Sequence, residues 1–461
     1  MTGDEENNWV TGVICAGMKF CERWPLGCHY IGVKRQNRYL PSTIFVLTIV
    51  LAPGLSAGGD APWADLTARA EADYERVALA VSPGLIEASA CQQSQAALVS
   101  IAAPGQLPLI HYRKGYCSLV AAALGSQASP ENERQGWNDA AGEFHQAIES
   151  WPAAHPAKRS QAVPPVPEIL PVAEALARIH GAGAEGSAGE NGGALAAAVE
   201  HPSCGGGFTT PELCQAYVDV GREWLGWMAL RSGDPAGAAR EFSSPAAAGW
   251  NNWAEGLQAF RNARYADAAA RFGQAIADWD RDRADSGWFR RLRPQPDWTA
   301  SLTEWGGARL LAGDFAGAIS ALDRAAALSR ENPRAFYLRA LARERSGHAE
   351  DALTDYNLAS RAAFASAREL ASGEAHLYRG ILLYRRRDYA GAEAEFSSAL
   401  NFDVAPSMRA DAVAWRHLAA VLQGGCQSSR EFLGRSLASV SPFFPRQEAQ
   451  AAAAACSNGE L

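Results

Sequence analysis

The sequence predicts an all-α fold, a solenoid of stacked helical hairpins, and three observations point to it. The 461 residues are 48% hydrophobic and 20% charged, too apolar and too lightly charged for a disordered chain. The chain is rich in Ala with scattered Trp and Tyr, which suits close helix–helix packing better than sheets. A pattern of small residues followed by an aromatic or Leu recurs through the second half, the mark of a repeat architecture. The net charge of −8 and the pI near 5.7 argue against a dedicated nucleic-acid binder, which needs a basic footprint on phosphates.

The N-terminus reads as a targeting segment. Lys34, Arg35 and Arg38 precede an apolar run from Ile44 to Ala52, and Leu55-Ser56-Ala57 follows. A basic region, a short apolar run and small residues at the cut describe a secretory signal peptide cleaved near Ala57. The run is too short for a spanning helix, which needs about 20 apolar residues. Residues 1–57 are therefore set apart, and Met18 offers a start for a less extended leader. The expected address is periplasmic or secreted, in a bacterial envelope, with no stable membrane span after cleavage.

Cleavage changes the cysteine arithmetic. Nine cysteines become six once Cys15, Cys21 and Cys28 leave: Cys91, Cys117, Cys204, Cys214, Cys426 and Cys456. An even number in an exported chain suits disulfides, and fifteen connectivities are open. Sequence order suggests neighbours pair, Cys91–Cys117, Cys204–Cys214 and Cys426–Cys456. The alternative is six small buried apolar residues.

Residues 62–150 read as helices. Leu66, Ala70, Tyr74, Val77 and Val81 share one face, and Trp137, Ala140, Phe144, Ala147 and Ile148 read as the second helix of a divergent hairpin whose partner lies around Tyr116–Leu124. Residues 151–210 read as a Pro- and Gly-rich connector with short helices, one over Val172–Ile179. From 211 to 403 the hairpins repeat. Gly226 leads to Ala238 and Phe242; Gly256 to Ala268 and Phe272; Gly306 to Ala318 and Leu322; Ala340 to Ala352 and Tyr356; Gly380 to Ala392 and Phe396. The first small residue lets the second helix approach, the second does so from the other side, and the large residue four positions on fills the gap. Gly-Asp or Arg-Asp between the helices ends one and caps the next. The long step between Ala268 and Ala318 holds an insertion, residues 279–300, rich in Trp, Asp and Arg; insertions of this kind gather on one face and carry function. The bland reading of the insertion is a longer helix and a Pro-braked loop. Residues 404–461 read as capping helices, one around Val413–Val421 and one near Arg430–Ser439.

These five hairpins closely resemble the tetratricopeptide repeat, a helix–turn–helix unit of about 34 residues. The resemblance implies a solenoid whose first helices line a concave groove that binds peptides or protein segments. Carried over residue by residue, the groove positions are Trp227, Arg231, Trp253, Phe260, Arg261, Leu310, Tyr337, Arg345, Tyr384 and Arg385. Arg ends four of the five first helices, which suits a segment bearing carboxylates; it also suits the negative end of each helix dipole. The Lys and Asn combination of the family's carboxylate-clamp members is absent.

Motifs with chemistry fall away on context. Gly181-x-Gly183-x-x-Gly186 matches a dinucleotide fingerprint, but the residues before it read as helix, not strand. Gly54-x-Ser56-x-Gly58 matches a nucleophile elbow across the cleavage point. No histidine pair has metal-ligand spacing, and no catalytic set emerges, so neither a metal nor a cofactor is expected. The reading is an exported, non-enzymatic protein–protein interaction scaffold. The alternative is a carbohydrate- or small-molecule-binding protein using Trp227, Trp250, Trp253, Trp279, Trp288, Trp298 and Trp305. An enzyme with its site in residues 62–210 has the least behind it.

Overall fold

The structure, a computed structural model, describes residues 61–80, 83–125, 129–155, 167, 169–186, 190–200, 204, 210–283, 287–366, 373–402 and 404–458. The expected signal peptide and its cut lie outside the described residues.

Among these residues stand nineteen α-helices in antiparallel succession, with no strand. The N-terminal half comprises α1 (Ala61–Ala78), α2 (Leu85–Val99), α3 (Leu107–Leu124), α4 (Pro130–Ala154), α5 (Ile169–Gly186) and α6 (Glu190–Val199). The repeats follow as α7 (Pro211–Arg231) with α8 (Pro235–Glu241), α9 (Ala248–Arg261) with α10 (Tyr265–Asp282), and α11 (Trp298–Leu311) with α12 (Phe315–Leu328). Then come α13 (Pro333–Arg345) with α14 (Ala349–Ser366), and α15 (Gly373–Arg385) with α16 (Tyr389–Leu400). The chain closes with α17 (Pro406–Leu422), α18 (Cys426–Ser436) and α19 (Arg446–Asn458). The fold is an all-α solenoid of tetratricopeptide-type hairpins with a divergent helical N-terminal region.

The repeat residues do what their sizes dictate. A Cβ added at Gly256 would lie 2.5 Å from the Phe272 ring, and at Gly380 the same distance from Phe396. Only glycine lets those rings reach the first helix. Ala238, Ala268, Ala318, Ala352 and Ala392 are buried at the crossing, where a larger side chain would hold the helices apart. The turn residues cap as their chemistry requires. Asp234, Asp314 and Asp388 accept from the backbone N–H of Gly237, Gly317 and Gly391 at 2.8, 2.9 and 2.9 Å. Gly233 and Gly313 precede the first two in the left-handed region, at φ 83° and 84°, but Arg387 holds the third place at φ 63°.

The N-terminal half obeys the same rule less visibly. Gly115 of α3 meets the Phe144 ring of α4, a Cβ there falling 2.9 Å from it; this close approach makes α3–α4 a true hairpin. The stretch read as a connector is more structured than its Pro and Gly content suggests. Pro152 lies within α4, and α5 extends well beyond the short helix read from the sequence. Leu170, Val172, Leu176 and Leu195 of α5 and α6 are fully buried. Gly181, Gly183 and Gly186 lie within α5, so the fingerprint has a helix before it where a dinucleotide site needs a strand.

Two large apolar cores run along the molecule, beside a small third cluster of Ala70, Leu98 and Ile110. One spans α1 to α7, from Val77 to Trp224; the other spans α8 to α19, from Ala238 to Ala452. Trp227 packs against both. Cys91–Cys117 joins α2 to α3, Cys204–Cys214 ties the chain before α7 to that helix, and Cys426–Cys456 joins α18 to α19. Among the described residues no helix is long and apolar enough to cross a membrane.

Candidate binding cavity beside the insertion

The insertion narrows in the structure to the segment between α10 and α11. Trp279–Asp282 complete α10, Trp298–Leu311 form α11, and Trp288–Leu292 make a short 3₁₀ helix. This segment leaves its sequence neighbours and lies on the first helices of the preceding hairpins. Trp288 and Leu292 are buried in the N-terminal core. Trp288 meets the Tyr116 ring of α3 edge-on at 5.5 Å, and Phe289 meets Tyr217 of α7 at 5.3 Å. The backbone carbonyls are captured by ring N–H groups. Trp224 Nε1 donates to Leu292 O at 2.7 Å, Trp250 Nε1 donates to Pro294 O at 3.3 Å, and His180 Nε2 lies 3.1 Å from Leu292 O. Arg291 donates to Ala123 O at 2.6 Å, and Arg293 to Glu223 at 2.8 Å.

Between this segment and α3, α4, α5 and α7 lies a cavity of about 470 Å³, within the size range of small-ligand and side-chain sites. Its apolar wall is Trp137, Ile179, Trp224 and Trp227; its polar rim is Arg290, Arg291, Arg293 and Gln295, with Glu133 on α4. His180 stacks on Trp137 at 4.4 Å and meets Trp224 edge-on at 5.3 Å. Burial holds the His180 imidazole below its usual pKa, opposed by the bond to Leu292, so the ring is neutral at pH 7. Burial pushes the Glu223 carboxyl up to about 7, against the pull of Arg293. Desolvation outweighs one good ion pair there.

The residues carried over to the groove divide sharply. Trp227 is half-buried and lines the cavity, with the exposed Arg231 guanidinium 5.0 Å over its ring. Phe260 is half-buried against Tyr265 at 5.3 Å. Arg261 is exposed and donates to Gly233 O at 2.8 Å, joining its repeat to the preceding turn. Arg345 is exposed. Trp253 faces the hairpin interior instead of the groove, 4.3 Å from the Phe272 ring and 5.4 Å from Trp279. Tyr337 is buried between Tyr356 and Tyr378.

The rest lie under the chain's own C-terminal segment. Phe443, which follows α18, reaches back to α11; a Cβ on Gly307 of that helix would lie 3.1 Å from its ring. Leu310 of the same helix is 1% exposed. Glu448 of α19 accepts from Tyr384 Oη at 2.7 Å and from Arg385 at 2.9 Å. Arg385 also pairs with Glu344 at 3.4 Å and lies over the Trp415 ring. Its carboxylate is thus supplied from within.

Sequence reading missed the cavity because its walls are scattered. Trp137 read as a second-helix residue of a hairpin, and Trp224 and His180 carried no signal of a site. The density of Arg and Trp in the insertion was the available signal, but nothing in one dimension says that it turns back onto α3, α5 and α7.

No protein-family model matches the chain, and no curated protein matches it in sequence. Among solved structures it is similar to yeast Tom70, with 10% identity and a TM-score of 0.31, covering 86% of this chain and 96% of that one. It is also similar to the APC/C hetero-tetramer Cut9–Hcn1, with 11% identity and a TM-score of 0.27, covering 86% and 93%. At such identities and scores the likeness is one of helical architecture, and neither neighbour passes on a partner or a role.

Proposed function

We propose that this protein is an exported protein-interaction scaffold that holds a peptide or protein segment on its concave side, at the cavity beside Trp227. The observation that carries this reading is the pattern of cover. The chain covers several of its first helices with its own insertion and tail, yet the insertion, seated on α3, α5 and α7, leaves space toward α4. It leaves there an open cavity with an aromatic wall and an Arg rim. Aromatic and Arg groups around a desolvated pocket are the composition of interface hot spots. Less supports the Trp-rich alternative. Trp250 and Trp298 pack against Trp279 at 4.8 and 6.3 Å, and His180 and Arg231 cover one face each of Trp137 and Trp227.

The test is a crosslinking pull-down of the mature protein from its native envelope, beside the Trp227→Ala and Arg231→Ala variants. Loss of the same partner from both variants, with helicity unchanged, is the expected result. Capture that ignores both substitutions would overturn the reading. The export half is checked separately, by N-terminal sequencing of the exported protein, which should begin near Gly58.

A further inference from the structure

We infer that the cavity between the insertion and α4, α5 and α7 recognises a carboxylate carried next to an apolar side chain. This rests on the scaffold reading only in taking the ligand to belong to a partner's chain; the recognition chemistry stands on the cavity itself.

The argument begins with charge. Three guanidiniums from one short stretch, Arg290, Arg291 and Arg293, line the cavity. Arg293 is matched, since it donates to the buried Glu223 at 2.8 Å. Among the described residues, the hydrogen bonds of the Arg290 and Arg291 guanidiniums go to neutral groups. Arg290 donates to Gln295 Oε1 at 3.3 Å, and Arg291 to Ala123 O at 2.6 Å. Each guanidinium carries five N–H donors in a planar fork, so each keeps donors for a ligand. Against these two cations the cavity offers one carboxylate, Glu133, and the balance favours an anion. A planar fork prefers a carboxylate because the two can bond through parallel N–H···O contacts.

The other wall sets the second requirement. Trp137, Trp224 and Ile179 are at most 7% exposed, and they face the cavity with apolar edges. The one ionisable group among them, His180, is kept neutral by burial. A free inorganic anion would leave this wall unused; a carboxylate with an aromatic or aliphatic neighbour would fill it. A partner chain has two sources of such a group, an acidic side chain beside an apolar residue and the terminal carboxylate of an apolar residue.

The test titrates the full mature chain with four small probes, read by tryptophan fluorescence and by calorimetry. N-acetyl-phenylalanine and N-acetyl-Phe-Glu-amide carry the carboxylate; N-acetyl-phenylalanine amide and N-acetyl-Phe-Gln-amide are their neutral counterparts. The expected result is at least tenfold tighter binding of one carboxylate probe than of its neutral counterpart. Which probe shows it says whether the terminus or the side chain is read. That preference should vanish in Arg290→Gln, return in part in Arg290→Lys, and weaken with salt. Arg290 carries the test because Arg291 also ties the insertion to α3, and circular dichroism checks that each variant is folded. Equal binding of acid and amide, or no response to any probe, overturns the inference. The two readings fail separately. If the probes show the preference while partner capture ignores Trp227→Ala and Arg231→Ala, the scaffold reading falls. If capture depends on both residues while the probes show no preference, the carboxylate inference falls.

Discussion

The first helices α3, α5 and α7 are covered by a segment that interrupts the array; α11 and α15 are met by the segment that ends it. The two linings use different chemistry. The insertion is anchored by buried Trp288 and Leu292 and held in addition through its backbone, with carbonyls of Leu292 and Pro294 captured by Trp224 and Trp250. The tail is held by side chains: Phe443 and Phe444 are buried among the first helices, and Glu448 sits on Tyr384 and Arg385. A strap pinned partly through its backbone can cross a surface without filling all of it, and a cavity remains beside it. A side-chain-held tail fills what it crosses. The row of first helices therefore yields an open site in one half and a closed seam in the other.

The comparison can be broken at its strongest point first. Trp288→Ala removes the insertion's buried anchor and should cost about 3–5 kcal/mol, the range for large aromatic truncations in cores. Denaturant unfolding measures it. Hydrogen exchange should show the loss in α3 and α7 while α13 and α15 keep their protection; uniform loss would mean that the halves are not separately lined.

Glu223 gives the next effect. Its carboxyl is raised by burial to about 7, so the folded state holds that proton more tightly than the unfolded chain does. Its contribution to stability is full below about pH 4.5 and is lost as pH rises through about 7. The loss is at most about 3 kcal/mol, from the size of the shift. Glu223→Gln should flatten the fall in Tm between pH 5 and 8 relative to the unsubstituted protein. Parallel Tm curves would remove Glu223 from the account.

In the tail, Glu448→Gln weakens the charge-assisted bonds to Tyr384 and Arg385. It should cost about 2 kcal/mol and increase exchange in α19 without changing probe binding at the cavity. The smallest effect is a gain. Arg387 stands at φ 63° where sister turns use glycine, and Arg387→Gly should stabilise by up to about 1 kcal/mol. Thermal unfolding reads it, and no gain would mean that the side chain's own contacts offset the backbone cost.

These outcomes bear on how much was legible beforehand. The hairpins were, because Gly256 with Phe272 and Gly380 with Phe396 are local pairs whose spacing declares their contact. The Gly-Asp turns were legible for the same reason. Phe144 was read as a second-helix residue, but its partner Gly115 stood just outside the stretch assigned to the first helix. The groove was legible only as a set of first helices. Whether Arg385 faces a partner or the chain itself depends on Glu448, 63 residues away, and no periodicity encodes that. Trp253 was misplaced because a shift of one or two positions along a helix carries a residue from the groove face to the hairpin interior.

The insertion also decides when the molecule can be finished. In a solenoid each hairpin depends on its neighbours, so the array can assemble in order as the chain emerges. Here Arg291 bonds to Ala123 across 168 residues, and His180 meets Leu292 across 112. The early helices thus wait for residues near 290 before their concave side is complete, a non-local closure that slows folding. Shortening the chain from the C-terminus to any point before Trp288 would yield an unfinished N-terminal half rather than a shorter solenoid.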